Sequence, residues 1–192
     1  MTDYHWHTSC SPGWIQNNDT FEFNVKKGVV GECPGDDKPH RYGVFKFKER
    51  QEVRSDRLKS GIYKWSATVE TISEQLNHAS HFSLFQIHSG ETKGRPPHGI
   101  QVKDGDIFII RPRIDTFVGK YKGKLKIETN IRIKGKTVMV EYILDGTRVA
   151  ELKSKGVGKP FIKFGIYRWN AVCDVKQIYS NVRLEKINVS RH

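Results

Sequence analysis

Three short stretches of the 192-residue chain carry side chains able to hold an anion or move a proton. In the first, Phe45–Arg54 (FKFKERQEVR), two-residue alternation puts Lys46, Lys48, Arg50, Glu52 and Arg54 on one face. Phe45, Phe47 and Val53 fall on the other face, with Glu49 and Gln51 between them. A carboxylate between two arginines would fix both guanidinium planes and leave an ordered positive surface. In the second, His81–Ser89 (HFSLFQIHS), Gln86 and His88 point the same way, opposite to Phe85 and Ile87. The amide supplies a neutral donor, and the imidazole can take a proton near neutral pH. In the third, Pro160–Asn170 (PFIKFGIYRWN), Lys163, Gly165, Tyr167 and Trp169 share one face, while Ile162, Phe164 and Ile166 look like core. Gly165 leaves a gap between Lys163 and Tyr167, which in a strand often marks close approach by a ligand. Each stretch also has a plain reading: a surface ion-pair ladder, a structural histidine, a tyrosine at a sheet edge beside a glycine bulge.

The elements that must position these side chains are strands, because the dominant period is two and not 3.6. Gly61–Glu70 sets Tyr63, Trp65, Ala67 and Val69 on one face, which reads as core. Asp106–Ile110 is a β-branched and aromatic run. Thr137–Leu144, the dipeptide Asp145-Gly146 and Thr147–Leu152 form a strand–turn–strand hairpin signature. Val182–Val189 reads as a closing strand, and Ile72–Ala79 is the one stretch expected to be helical. Gly90–His98 (GETKGRPPH), just after Gln86 and His88, reads as a surface loop or a lid. Many strands and almost no helix imply an all-β sandwich or barrel. No internal repeat or linker interrupts the chain, so one domain is expected over residues 1–192, with its core over about 20–190.

Thirty-three Lys and Arg against 21 Asp and Glu give a net charge of +12. A field of this size predicts a polyanionic partner: nucleic acid, an anionic membrane surface or an acidic polysaccharide. The basic residues are spread through strand-like segments. No helix-turn-helix, zinc-finger or RNA-recognition signature is present, nor a phosphate-binding G-x-x-x-x-G-K-[ST] or a nucleophile elbow G-x-S-x-G. No run approaches a membrane span, which needs roughly 18 or more apolar residues. Cys10, Cys33 and Cys173 are too few for a disulfide framework, though a Cys10–Cys33 bridge or three buried thiols are both compatible. His5 and His7 with Cys10 and Cys33 match no standard zinc spacing.

Taken together and in order, the three stretches resemble alginate lyases of polysaccharide lyase family 7. Arg50-Gln-Glu-Val-Arg54 resembles that family's R-[TS]-E-[LV]-R, Gln86-Ile87-His88 its Q-[IV]-H, and Lys163-Phe-Gly-Ile-Tyr167 the K-A-G-x-Y core of its Y-F-K-A-G-x-Y-x-Q motif. The chain departs from the pattern at Gln51, at Phe161, Ile162 and Phe164, and at Trp169, which stands where the family has its last Gln. These departures leave the polymer open among alginate, glucuronan and heparin-like chains. The resemblance implies a β-jelly roll of two antiparallel sheets with a substrate groove.

It also implies a mechanism, β-elimination on a uronate polymer. The C5 proton is acidic enough to leave only when the neighbouring carboxylate is neutralised and the developing enolate-like anion is stabilised. The resemblance assigns that task to Arg50 and Gln86, with His88 as a further contributor. Tyr167 is the implied acid for the departing O4 and a candidate base. An ordinary tyrosine pKa near 10 is high for a base, but a cationic neighbourhood lowers it. His88 is the alternative base, above all for the opposite C5 epimer. Arg50, Gln86, His88 and Tyr167 are therefore the expected catalytic set; Arg54, Glu52, Lys163 and Trp169 are expected to bind or support the substrate. The expected partner is an acidic polysaccharide, with no nucleic acid, no membrane, no metal and no cofactor. The chain is expected to be a secreted monomer cutting endolytically. The competing readings are a carbohydrate-binding module of the same sandwich class and a nucleic-acid-binding β protein.

Overall fold

The computed structural model describes residues 4–33, 48–73, 82–91, 95–110, 114–169 and 173–188, with the side chains of Cys10, Lys48 and Trp169 outside that description. Among these residues there are fourteen strands and no helix. They form two seven-stranded antiparallel sheets. Numbered in chain order, the first sheet runs β1 (Trp6–Cys10), β4 (Lys48–Ser55), β13 (Phe161–Trp169), β6 (Phe82–His88), β7 (His98–Lys103), β8 (Asp106–Ile110) and β9 (Thr116–Lys120). The second runs β12 (Thr147–Ser154), β11 (Thr137–Leu144), β10 (Lys124–Lys134), β5 (Gly61–Ile72), β14 (Val175–Ile187), β3 (Thr20–Val25) and β2 (Ile15–Asn17).

Alternation explains why these segments pack as they do. On β5, Tyr63, Trp65, Ala67 and Val69 are all buried, as expected from their spacing. They meet Ile87, Phe85, Ile162, Phe164 and Ile166 from the first sheet in one core. Trp65 and Phe85 lie 4.6 Å apart at 34°, and Phe164 packs against Tyr179 at 5.0 Å and Trp6 at 5.0 Å. Aromatic pairs of this kind add about 0.5–1.5 kcal/mol each beyond their buried area. Phe164 thus gives β13 a rigid backing directly behind the face that carries Lys163 and Tyr167.

The Asp145-Gly146 hairpin between β11 and β12 forms as read, with φ of 48° and 82°. A second such turn, Asp104-Gly105, joins β7 to β8. Other segments differ from the sequence reading. Ile72 ends β5 and is not the start of a helix; residues 74–79 of that expected helix lie outside the described residues. β14 begins at Val175, earlier than the expected Val182, because a bulge between Ser180 and Arg183 breaks its alternation. β10 escaped the sequence reading, although Leu125, Ile127, Thr129, Ile131 and Ile133 alternate inward without interruption.

His98 is the first residue of β7 rather than the end of a loop, and it is fully buried. Gly90, at the start of the expected lid, donates backbone hydrogen bonds to the carbonyls of Gly158 and Lys159. Cys33 is disulfide-bonded and Cys173 is a buried free thiol, so the three cysteines are not three buried thiols; the side chain of Cys10, the other half of the expected bridge, lies outside the described residues. His7 pairs with Asp56 at 2.7 Å.

Candidate functional site

The three chemistry-bearing stretches become neighbours in one sheet: β13 lies between β4 and β6. Register does the rest. Lys163 stands opposite Arg54 on one side and Gln86 on the other. Gly165 faces Glu52, Tyr167 faces Arg50, Trp169 faces Lys48, and Phe161 faces His88. Arg50, Gln86, His88 and Tyr167, separated by up to 117 positions in sequence, thus share one patch of the outer face.

The contacts within the patch are specific. The Arg50 guanidinium carbon sits 4.1 Å from the centre of the Tyr167 ring, placing a fixed positive charge over the phenol. His88 Nε2 lies 2.6 Å from Gln86 Oε1, and Gln86 Nε2 donates to Ser83 Oγ at 2.7 Å. The His88 ring stacks on Phe161 at 5.6 Å and 14°, and Arg54 lies 5.8 Å over the other aromatic partner of that stack, Phe161. Burial holds the His88 imidazole down at about 3, helped by the charges of Lys163 and Arg50. The ring is therefore neutral in the resting protein across the physiological range.

Glu52 does not bridge the two arginines as its spacing suggested. Its Oε2 accepts from Lys163 Nζ at 2.8 Å, with the Lys163 and Glu52 side chains 7% and 1% exposed. The two meet diagonally across Gly165, whose missing side chain leaves the gap. A charge this deeply buried needs a partner, and Lys163 supplies it. This leaves Arg50 and Arg54 flanking a carboxylate that is already neutralised.

Gly165 is also required from inside the protein. Its φ of 119° disfavours any side chain. A Cβ there would lie 2.5 Å from the Gln51 carbonyl oxygen and 2.9 Å from the Phe23 ring.

The inner face of the same strands anchors the patch. Glu49 and Gln51 are buried. Glu49 pairs with Arg168 at 2.7 Å, and Arg168 also donates to the carbonyls of Cys173 and Val25. Gln51 accepts from the Asn24 amide and donates to the Pro12 carbonyl. Arg168 follows Tyr167, so tying it inward fixes the phenol outward.

Three contributors were absent from the expected set. Phe161 was readable, being two residues from Lys163 on the same face. Ser83 and Gln101 were not: Ser83 is three residues from Gln86, which in a regular strand means opposite faces. A bulge at β6 between Ser83 and Phe85 turns it outward, where Gln101 Nε2 also reaches it at 3.4 Å. The side chain of Trp169 lies outside the described residues. Among the described residues no cluster of three or more His, Cys, Asp or Glu could hold a metal ion.

No protein-family model and no curated protein sequence matches the chain. Solved structures do. The alginate lyase AlgAT5 of polysaccharide lyase family 7 superposes with a TM-score of 0.60 at 14% identity, covering 91% of this chain and 82% of its own. The alginate lyase AlyC3 in complex with dimannuronate gives 0.54 at 13% identity, covering 75% and 74%. A sialidase gives 0.59 at 12% identity over 94% of this chain but 17% of its own length. The fold of this chain is the jelly-roll sandwich of the family 7 alginate lyases.

Proposed function

We propose that the protein is a polysaccharide lyase that cleaves a uronate polymer, alginate-like or glucuronan-like, by β-elimination. The observation that carries this reading is the register of β4, β13 and β6, which gathers a guanidinium, an amide, a neutral imidazole and a phenol on one patch. Arg50 neutralises the substrate carboxylate, so that charge developing next to C5 meets a preorganised donor. Gln86 acts beside it. His88 or Tyr167 takes the C5 proton, and Tyr167 gives a proton to the departing O4. Arg54 extends the positive surface along the polymer. The Lys163–Glu52 pair supports the floor beneath the sugar, and Trp169 is proposed as a sugar contact at the far end of β13. The excess of cations draws in a chain bearing one carboxylate per sugar. A polymer outside the cell makes this a secreted enzyme, acting alone and endolytically on an open groove.

The test is ultraviolet absorbance of unsaturated uronate ends during incubation with polymannuronate, polyguluronate, glucuronan, hyaluronan and heparin. It is run without added metal and with chelator. A rise on one polymer establishes the reaction and names the substrate. A flat trace on all five, with salt-sensitive binding to one, points instead to a carbohydrate-binding module.

A further inference from the structure

We propose that Ser83 and Gln101 are positioning residues for His88: they orient the Gln86 amide so that its carbonyl faces the imidazole, fixing the proton on Nε2 and leaving Nδ1 as a proton acceptor. The inference rests on the lyase reading for its catalytic half and on hydrogen-bond geometry for the rest.

An amide has two unlike ends, and which end faces His88 decides what the histidine can do. As the structure has it, Gln86 Oε1 accepts from His88 Nε2 at 2.6 Å, so the imidazole proton is on Nε2 and the lone pair on Nδ1. With the amide reversed, Nε2 of the ring would have to accept, the proton would move to Nδ1, and His88 would meet substrate as a donor. The choice is made at the far end of the amide. There Gln86 Nε2 donates to Ser83 Oγ at 2.7 Å, and Gln101 Nε2 approaches the same oxygen at 3.4 Å. A hydroxyl offers two lone pairs, and two amide donors take them.

All three supporting side chains are nearly inaccessible: Gln86 is 1%, Ser83 2% and Gln101 6% exposed. Water is therefore a poor substitute for any link in the chain. The bulge makes the arrangement possible. The extra residue, Leu84, rotates Ser83 onto the same face as Gln86, and the Tyr179 hydroxyl holds that bulge by donating to the Leu84 carbonyl at 2.9 Å. Gln101 is the cross-strand partner of Ser83 on β7.

The chemical step follows and balances. Nδ1 takes the C5 proton; the electrons of the C5–H bond form the C4–C5 double bond; the C4–O4 bond breaks; and the phenol of Tyr167 supplies the proton to O4. The resting imidazole is a weak base because it is desolvated and faces Lys163 and Arg50. A bound uronate carboxylate opposes those two charges and restores basicity when the substrate is present.

The test is nitrogen-15 NMR of the histidine side chains at neutral pH, with the His88 signals assigned by their loss in His88→Gln. The expected result is a neutral His88 protonated on Nε2. In Ser83→Ala the signals move toward the Nδ1–H form or an average of the two, and kcat falls about 10- to 100-fold with KM nearly unchanged. Ser83→Thr, which keeps the hydroxyl, restores both readouts. Gln101→Leu, which leaves Ser83 one donor, gives a smaller shift in the same direction. A wild-type His88 protonated on Nδ1 overturns the proposal without any variant. So does a Ser83→Ala protein that is folded, active and unchanged in tautomer. A wild type with the expected tautomer that turns over none of the five polymers overturns the lyase reading and the base role with it, while the hydrogen-bond chain stands.

Discussion

The Arg50 guanidinium lies 4.1 Å over the Tyr167 ring, and the consequences of that contact separate chemistry from binding. Tyr167→Phe keeps the ring beneath the guanidinium and removes only the hydroxyl. On the proposed mechanism, turnover falls by about 10²–10⁴-fold, the usual worth of a positioned acid or base. Calorimetric affinity for the polymer stays within a few-fold. Equal losses in both would return Tyr167 to a binding role. The Lys163–Glu52 pair makes a different prediction. Removing one partner, as in Lys163→Met, strands a carboxylate that is 1% exposed. Loss of about 3–5 kcal/mol is expected in urea unfolding, whereas Lys163→Met combined with Glu52→Leu recovers most of it. A single variant as stable as wild type would mean that water reaches Glu52.

At the scale of strands, β13 is the element on which the site depends, and Gly165 is its least replaceable residue. Gly165→Ala meets the Gln51 carbonyl oxygen at 2.5 Å in a conformation with φ of 119°. Strain of about 1–3 kcal/mol from the backbone alone is expected, plus the cost of parting β13 from β4. Melting temperature and activity should fall together, since the strand pairing that is loosened also sets Arg50 against Tyr167. A folded, fully active Gly165→Ala protein would show that the register tolerates the shift.

The same strands show what could be read beforehand. Regular alternation located the inward residues of β5 and β13 and gave the outward set Arg50, Gln86, His88 and Tyr167. It is silent or fails wherever a bulge changes parity, as at Ser83 and between Ser180 and Arg183 of β14. Partner choice was less legible still. Glu52 could have served either arginine, and only the sheet order reveals Lys163 across the gap at Gly165. Nothing in the local spacing announces Gln101, whose relation to Ser83 exists only through the pairing of β6 with β7.

For the whole molecule, acid is the informative perturbation. His98 is fully buried between the sheets; neither ring nitrogen makes a well-formed hydrogen bond, and burial holds the imidazole down at about 4 against a weak opposing effect of the Val138 backbone. His88 is held at about 3. Both bind protons more readily in the unfolded chain, where the ordinary value is about 6.5. Their contribution to stability is therefore fully present above about pH 6.5 and is lost as the pH falls toward the folded values, at up to about 1.4 kcal/mol per pH unit for each histidine. Urea midpoints measured between pH 7 and pH 5 should fall accordingly. His98→Leu, which fills the site without a polar atom, should remove about half of that slope. An unaltered slope in this variant would mean that His98 is charged or hydrated in the native protein.

The pairing of β4 with β13 and of β5 with β14 has a further consequence, in time rather than in space. A ribosome that has made Arg50, Gln86 and His88 has made no site, because Tyr167 and the strand that carries it come from the last quarter of the chain. Contacts this distant in sequence form slowly. Regain of activity on refolding is thus a marker for the closing strands, and it should accompany the burial of Trp65, which pairs with Leu184 of β14 and packs against Phe164 of β13.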